Sequence, residues 1–97
     1  MDFIGVISDS LQKKYTESRA RDAEKLALSL EQGQFEVLSR VGHQLRGNAV
    51  TFGHEDLAEL GRKMERAAEA RSLSDGEDCL YALKAWVQER LGVGELG

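Results

Sequence analysis

Ninety-seven residues suffice for one hydrophobic core and not for two. A content of 41% apolar and 31% charged residues is that of an ordinary globular chain. The net charge of −4 provides no basic footprint for DNA or RNA, no apolar run is long enough for a bilayer, and Cys79 has no disulfide partner, so a reducing, cytoplasmic setting is expected.

The chain has no proline, and strand-like alternation is nowhere sustained. Apolar spacing predicts helices throughout. A short first helix is expected over about residues 2–8, with Phe3, Ile4 and Ile7 on one side. Ser8, Asp9 and Ser10 are N-cap candidates for a longer helix carrying Leu11, Tyr15, Ala23, Leu26 and Leu30, which Gly33 ends. Ser18, Arg19 and Asp22 narrow its core face in the middle. The next helix runs from about Phe35 to Thr51, with Phe35, Leu38, Val41, Leu45 and Ala49 inward, and Gly53 opens a turn. Another begins near His54, buries Leu57, Leu60, Met64 and Ala67 or Ala68, and closes around Arg71. "SLSDGED" reads as a turn. The last helix carries Cys79 or Leu80, Leu83, Val87 and Leu91, with Trp86 at its flank. The expected fold is all-α, an antiparallel up-down four-helix bundle with a short additional N-terminal helix. It forms a single domain over 1–97, with its core at about 8–91 and a frayed tail at 92–97. Met1 and the short ends favour a free-standing protein over a piece of a hybrid kinase, and nothing points to more than a monomer.

One stretch breaks the amphipathic pattern. In "RVGHQLRGNAVTFG", positions three and four apart stack, so Arg40, His43, Arg46, Gly47 and Val50 share a strip opposite the core-facing residues. A neutral imidazole is a good nitrogen nucleophile near pH 7. Attack on phosphorus would leave negative charge beside the ring, which Arg46, one turn away, is placed to neutralise. Gly47 costs roughly 1 kcal/mol of helix stability relative to alanine and leaves room for phosphoryl oxygens and a partner. Singly, such residues are surface charges, a boundary histidine and a packing glycine. Together they answer separate needs of one reaction.

"HQLRGNAVTFG", followed by Leu57 and the pair Met64-Glu65, resembles the signature of the histidine-containing phosphotransfer (HPt) domain. The upstream segment from Leu11 to Gly42 is similar to the family's preceding helix, turn and helix entry, so the likeness covers about residues 8–90. It implies a four-helix bundle of two-component phosphorelays. His43 would be the phosphoacceptor, most simply through Nε2, taking a phosphoryl group from one receiver-domain aspartate and passing it to another. Arg46 would stand where a lysine is usual. Glu65 would orient His43 by accepting from Nδ1–H, as orienting carboxylates do elsewhere. The implied partners are response-regulator receiver domains and a (hybrid) histidine kinase, with no nucleic acid and no membrane.

The chain departs from the family pattern at Arg46, at Gly42 where alanine is usual, at Asn48 where serine is usual, and at Gln34, a poor N-cap where aspartate is common. No carboxylate cluster for magnesium and no nucleotide-type glycine loop is visible, so no cofactor of its own is expected. Mg²⁺ would come from the receiver, and the chain would be a phosphoryl carrier without autonomous kinase activity. Docking is expected around His43 through Arg40, Arg46, Val50, Arg62 and Lys63. The rival reading is a non-catalytic helical adaptor that binds a kinase or receiver without carrying phosphate; mere binding would need no nucleophile. A metal site of His43, His54 and nearby acids is disfavoured because His54 lies beyond the Gly53 turn.

Overall fold

The computed structural model describes residues 7–92. Four helices follow one another: α1 (Asp9–Glu31), α2 (Glu36–Thr51), α3 (Glu55–Ala70) and α4 (Leu73–Leu91). Among the described residues there is no strand. They form one helical bundle in which α2 and α3 make the most intimate pair and α1 lies against both α4 and α2.

The sequence explains where each helix begins and stops. Ser8 is extended (φ −61°, ψ 155°) and its hydroxyl accepts from the Leu11 amide at 3.1 Å, starting α1. Three successive helices end in the same way, with paired backbone bonds that satisfy otherwise orphaned carbonyls. After α1, Gly33 and Gln34 donate back to Leu30 and Ser29; after α2, Gly53 and His54 donate to Val50 and Ala49. Gly33 (φ +71°) and Gly53 (φ +83°) take the left-handed conformation this closure needs. After α3 the same place is held by Arg71 (φ +52°), a non-glycine residue whose guanidinium lies over the Phe35 ring at 5.0 Å.

Leu26, Leu38, Leu45, Leu57, Met64 and Leu83 form the fully buried centre, with all four helices contributing. Leu38, Val41, Leu45 and Ala49 of α2 face inward as the spacing predicts, while Phe35 is only half-buried and sits at the N-cap without a side-chain cap. On α3, Ala58 and Gly61 join Leu57, Met64 and Ala67 in the interior, and Leu60 and Ala68 stay at its margin.

Four expectations need correction. The helix expected over 2–8 lies mostly outside the described residues, and so does the tail beyond Gly92; Ile7 and Ser8, which are described, are not helical. Leu11 is 50% exposed, because the inward stripe of α1 runs through Tyr15, Thr16 and Arg19, one step round the helix. "SLSDGED" is not a turn: Ser72 caps α4 by accepting from the Asp75 amide at 3.2 Å, and the helix continues straight through Gly76. Trp86 is not at the flank but in the core, 6% exposed, since the buried stripe of α4 is Cys79, Leu83, Trp86 and Val87.

Arg19 is also inside, 8% exposed. Its charge is matched by Asp22 at 2.7 Å and its guanidinium sits 4.5 Å from the centre of the Tyr15 ring, which is how α1 keeps a cation in a narrow core face.

Candidate functional site

The close approach of α2 and α3 is set by two glycines that face each other. A Cβ on Gly42 would lie 2.7 Å from the Gly61 carbonyl oxygen, and one on Gly61 would lie 2.6 Å from the Gly42 carbonyl oxygen. The two helices therefore approach backbone to backbone at this point. Gly42 precedes His43, and Glu65 stands one turn after Gly61, so this crossing decides whether an α3 side chain can reach the α2 strip.

It does. His43 is open to solvent, its side chain 71% exposed, and its Nδ1 lies 3.3 Å from Glu65 Oε2. Glu65 is more sheltered, at 27%, and its other oxygen, Oε1, lies 3.0 Å from Arg46 Nε. One carboxylate from α3 thus joins two residues one turn apart on α2. Because an ionised carboxylate only accepts, the Nδ1 contact selects the tautomer with hydrogen on Nδ1 and leaves the Nε2 lone pair outward.

Arg40, His43, Arg46, Gly47 and Val50 are all exposed, so the strip read from the sequence exists as a surface. Nothing lies within 4 Å of a Cβ built on Gly47. The close-packing role that a mid-helix glycine often has belongs to Gly42, and the space over Gly47 is open.

The proposed docking residues divide. Arg62 shares an open groove of about 830 Å³ with Arg46, Glu65, Arg66 and Ser39, running between α2 and α3 toward Phe35 and Arg71. It is paired with Glu59 at 2.8 Å. Arg40, Val50 and Lys63 are exposed but do not line that groove.

A second polar cluster, which periodicity did not reveal, ties α1 to the end of α2. The Tyr15 hydroxyl donates to Asn48 Oδ1 at 2.7 Å, and its ring stacks on Phe52 with centroids 4.2 Å apart. Gln12 Nε2 donates to the Phe52 carbonyl at 3.0 Å, leaving its Oε1 to accept from His54 Nε2–H at 2.9 Å. At Asn48, where the family pattern usually has serine, the longer side chain reaches the tyrosine. The only sequence sign of the cluster was a set of polar residues at boundary positions.

His54 is accordingly engaged with α1 and the Tyr15 and Trp86 rings, not with His43. Burial, reinforced by the Arg90 charge and opposed by Asp56, pushes its imidazole below the ordinary histidine range. Among the described residues no group of three or more His, Cys, Asp or Glu side chains is assembled to hold a metal ion. No helix among them is long and apolar enough to cross a membrane.

Compared with known proteins, the chain matches the family model described as the Hpt domain over residues 10–91. No curated protein and no solved structure gives a significant match.

Proposed function

The chain belongs to the Hpt domain family, whose general role is histidine phosphotransfer in two-component signalling among histidine kinases and receiver domains, and from that membership we propose that His43 is the phosphoryl carrier. In this reading the Nε2 lone pair attacks the phosphorus of a receiver's aspartyl phosphate. The Nε2–P bond forms as the aspartate Oδ–P bond breaks, and the aspartate carboxylate leaves. The Nδ1 proton stays on the ring against Glu65, so no base is needed. Transfer to a second receiver reverses the same steps.

The observation that carries the proposal is an exposed imidazole whose inner nitrogen is held by a carboxylate while its outer nitrogen is free. Arg46 would compensate the charge arriving at Nε2, and open space over Gly47 would admit the phosphoryl oxygens and the receiver. The transition state of phosphoryl transfer is loose and relies on positioning and metal charge. Mg²⁺ and the reacting aspartate would come from the receiver, and this chain would contribute a well-oriented nucleophile and one cation. Arg40, Val50, Arg62 and Lys63 would ring the docking surface, a small transient interface with basic groups toward an acidic receiver pocket. The short connections between successive helices support an up-down arrangement, with the carrier on the side of one hairpin.

The test is to mix the protein with several phosphorylated receivers and map acid-labile phosphate. Label is expected on His43 and absent from His43→Gln, which keeps its fold because the side chain is exposed. Receivers that bind but leave no label on His43 would support the adaptor reading.

A further inference from the structure

The three helix ends that close in the left-handed conformation are not alike. Gly33 and Gly53 hold that position after α1 and α2, but Arg71 holds it after α3. A side chain is strained there, because its Cβ crowds the following carbonyl, and glycine would avoid the strain. Backbone strain of this kind persists where the side chain is put to use. The Arg71 guanidinium lies over the Phe35 ring, 5.0 Å from its centre, at the start of α2. The ring fixes the position of the cation and takes none of its charge. Among the described residues no carboxylate pairs with Arg71 or Arg66, whereas Arg46 and Arg62 in the same groove each have one.

The groove connects this corner to the His43 surface. Phe35, Arg66 and Arg71 line one end of it, Arg46 and Glu65 the other. On α2, Ser39 and Arg46 both line it, and His43 stands between them at helical spacing, on its rim. Phe35 precedes His43 by eight residues, about 12 Å along the helix. Even a small transient interface covers about 600 Å² on each partner, a disc of radius about 14 Å. A receiver centred on His43 therefore reaches the Phe35 end of the groove.

We propose that Arg71 is a specificity residue for the receiver that docks on His43, taking a carboxylate on the receiver's surface outside the reacting pocket. This rests on the reading of His43 as the carrier. Glu36 and Glu69 line the same end, so it is no general basic patch. A pattern of both signs rewards one arrangement of partner charges and penalises others, which selects partners more than it attracts them. Stacking on Phe35 holds the guanidinium in place beforehand, so less side-chain freedom is lost when the carboxylate arrives.

The test takes the receivers that label His43 fastest and slowest in the mapping experiment above. Transfer is measured over a range of receiver concentrations for wild type, Arg71→Gly, Arg71→Lys and Lys25→Ala, the last an exposed α1 cation that does not line the groove. Phosphoramidate, a small phosphodonor that needs no docking, loads the same chains in parallel. Arg71→Gly should melt no lower than wild type and should load from phosphoramidate at the wild-type rate. From the fast receiver its KM should rise about fivefold at unchanged kcat, the upper end of what an exposed ion pair contributes. Arg71→Lys should fall between the two, and Lys25→Ala should match wild type. The slow receiver should be unaffected, so discrimination between the two narrows by the same factor. A KM unmoved in Arg71→Gly, raised equally in Lys25→Ala, or raised equally for both receivers would overturn the specificity role and leave the carrier reading intact. So would an Arg71→Gly chain that melts well below wild type and loads slowly from phosphoramidate, which assigns the arginine to the fold alone. Phosphate absent from His43 with every receiver would overturn both.

Discussion

The same substitution, glycine to alanine, should have opposite effects at two places in the α2–α3 pair. At Gly61 the new Cβ would stand 2.6 Å from the Gly42 carbonyl oxygen, 2.9 Å from the Arg46 nitrogen and 2.9 Å from the Leu45 Cβ, where ordinary contact begins at 3.4 Å. The nearest two are backbone atoms in the middle of a helix, so no rotamer can relieve the overlap. The helices must separate by up to about 0.8 Å. Overpacking of a filled interior costs roughly 1–3 kcal/mol, and a clash against backbone belongs at the upper end. Alanine returns about 1 kcal/mol through its better helix propensity, for a net loss of about 2 kcal/mol. At Gly47 nothing lies within 4 Å, and only the propensity gain remains, about 1 kcal/mol. Thermal unfolding should separate the two clearly, since each kcal/mol moves Tm by roughly 4–8 °C in a domain of this size. Gly47→Ala should melt higher than wild type and Gly61→Ala well below it.

Function should not follow stability. The His43–Glu65 contact is already long at 3.3 Å, so any separation of α2 from α3 takes it beyond hydrogen-bonding distance. Gly61→Ala should therefore weaken the Nδ1–H tautomer, seen in the imidazole ¹⁵N shifts, and slow transfer. Gly47→Ala should keep the tautomer yet slow transfer, because its methyl occupies the approach to Nε2. A Gly61→Ala chain as stable as wild type with unchanged imidazole shifts would refute the argument that the glycine crossing positions Glu65.

Arg46→Ala should slow phosphoryl transfer about tenfold, the loss of one charge-assisted contact, while Arg46→Lys retains most of the rate; rapid-quench measurement of label on His43 distinguishes them. Tyr15→Phe and Asn48→Ala should each cost about 1 kcal/mol in urea unfolding, with the double variant costing little more, because both remove the same 2.7 Å bond. His54 is held below its ordinary value, so the unfolded chain binds a proton that the folded chain resists. Its contribution is present above the unfolded imidazole value of about 6.5 and lost as pH falls from there toward the lower folded value. His54→Gln should flatten that part of the stability–pH curve. Burial raises the Cys79 thiol above its usual range, so iodoacetamide should label it only as the chain unfolds.

Helix identity and the exposed face of α2 were legible because both depend on spacing within one helix. Leu38, Val41, Leu45 and Ala49 alternate with Arg40, His43, Arg46 and Gly47 at helical intervals, and the structure buries the first set and exposes the second. What was not legible depends on two helices at once. Nothing in the α2 sequence says that Gly42 rather than Gly47 is the packing glycine; that needs Gly61 opposite. Trp86 was misplaced because Leu80, Leu83, Val87 and Leu91 fit a helical stripe as well as Cys79, Leu83, Trp86 and Val87 do, and only the neighbours Tyr15 and His54 decide. "SLSDGED" looks like a turn by composition, but Ser72 and Asp75 are spaced as a cap, and Gly76 lets α4 lie against Leu30 and Leu38.

In the proposed carrier reading, the two glycines of α2 resolve a conflict. A nucleophile that another protein must reach has to be exposed, yet an exposed imidazole rotates freely and spends only part of its time correctly aimed. Anchoring it by burial would close the approach. Gly42 avoids that choice by acting about 100° round the helix from His43: it lets α3 come close enough for Glu65 to reach the inner nitrogen. Gly47, five residues on, keeps the outer side bare. Orientation then comes from beneath the ring and access from above it, and the two need not compete. The arrangement requires both glycines on one helix and a carboxylate one turn past the crossing on the next. Alanine at either glycine should impair transfer for different reasons, one through the aim of the ring and the other through the approach to it.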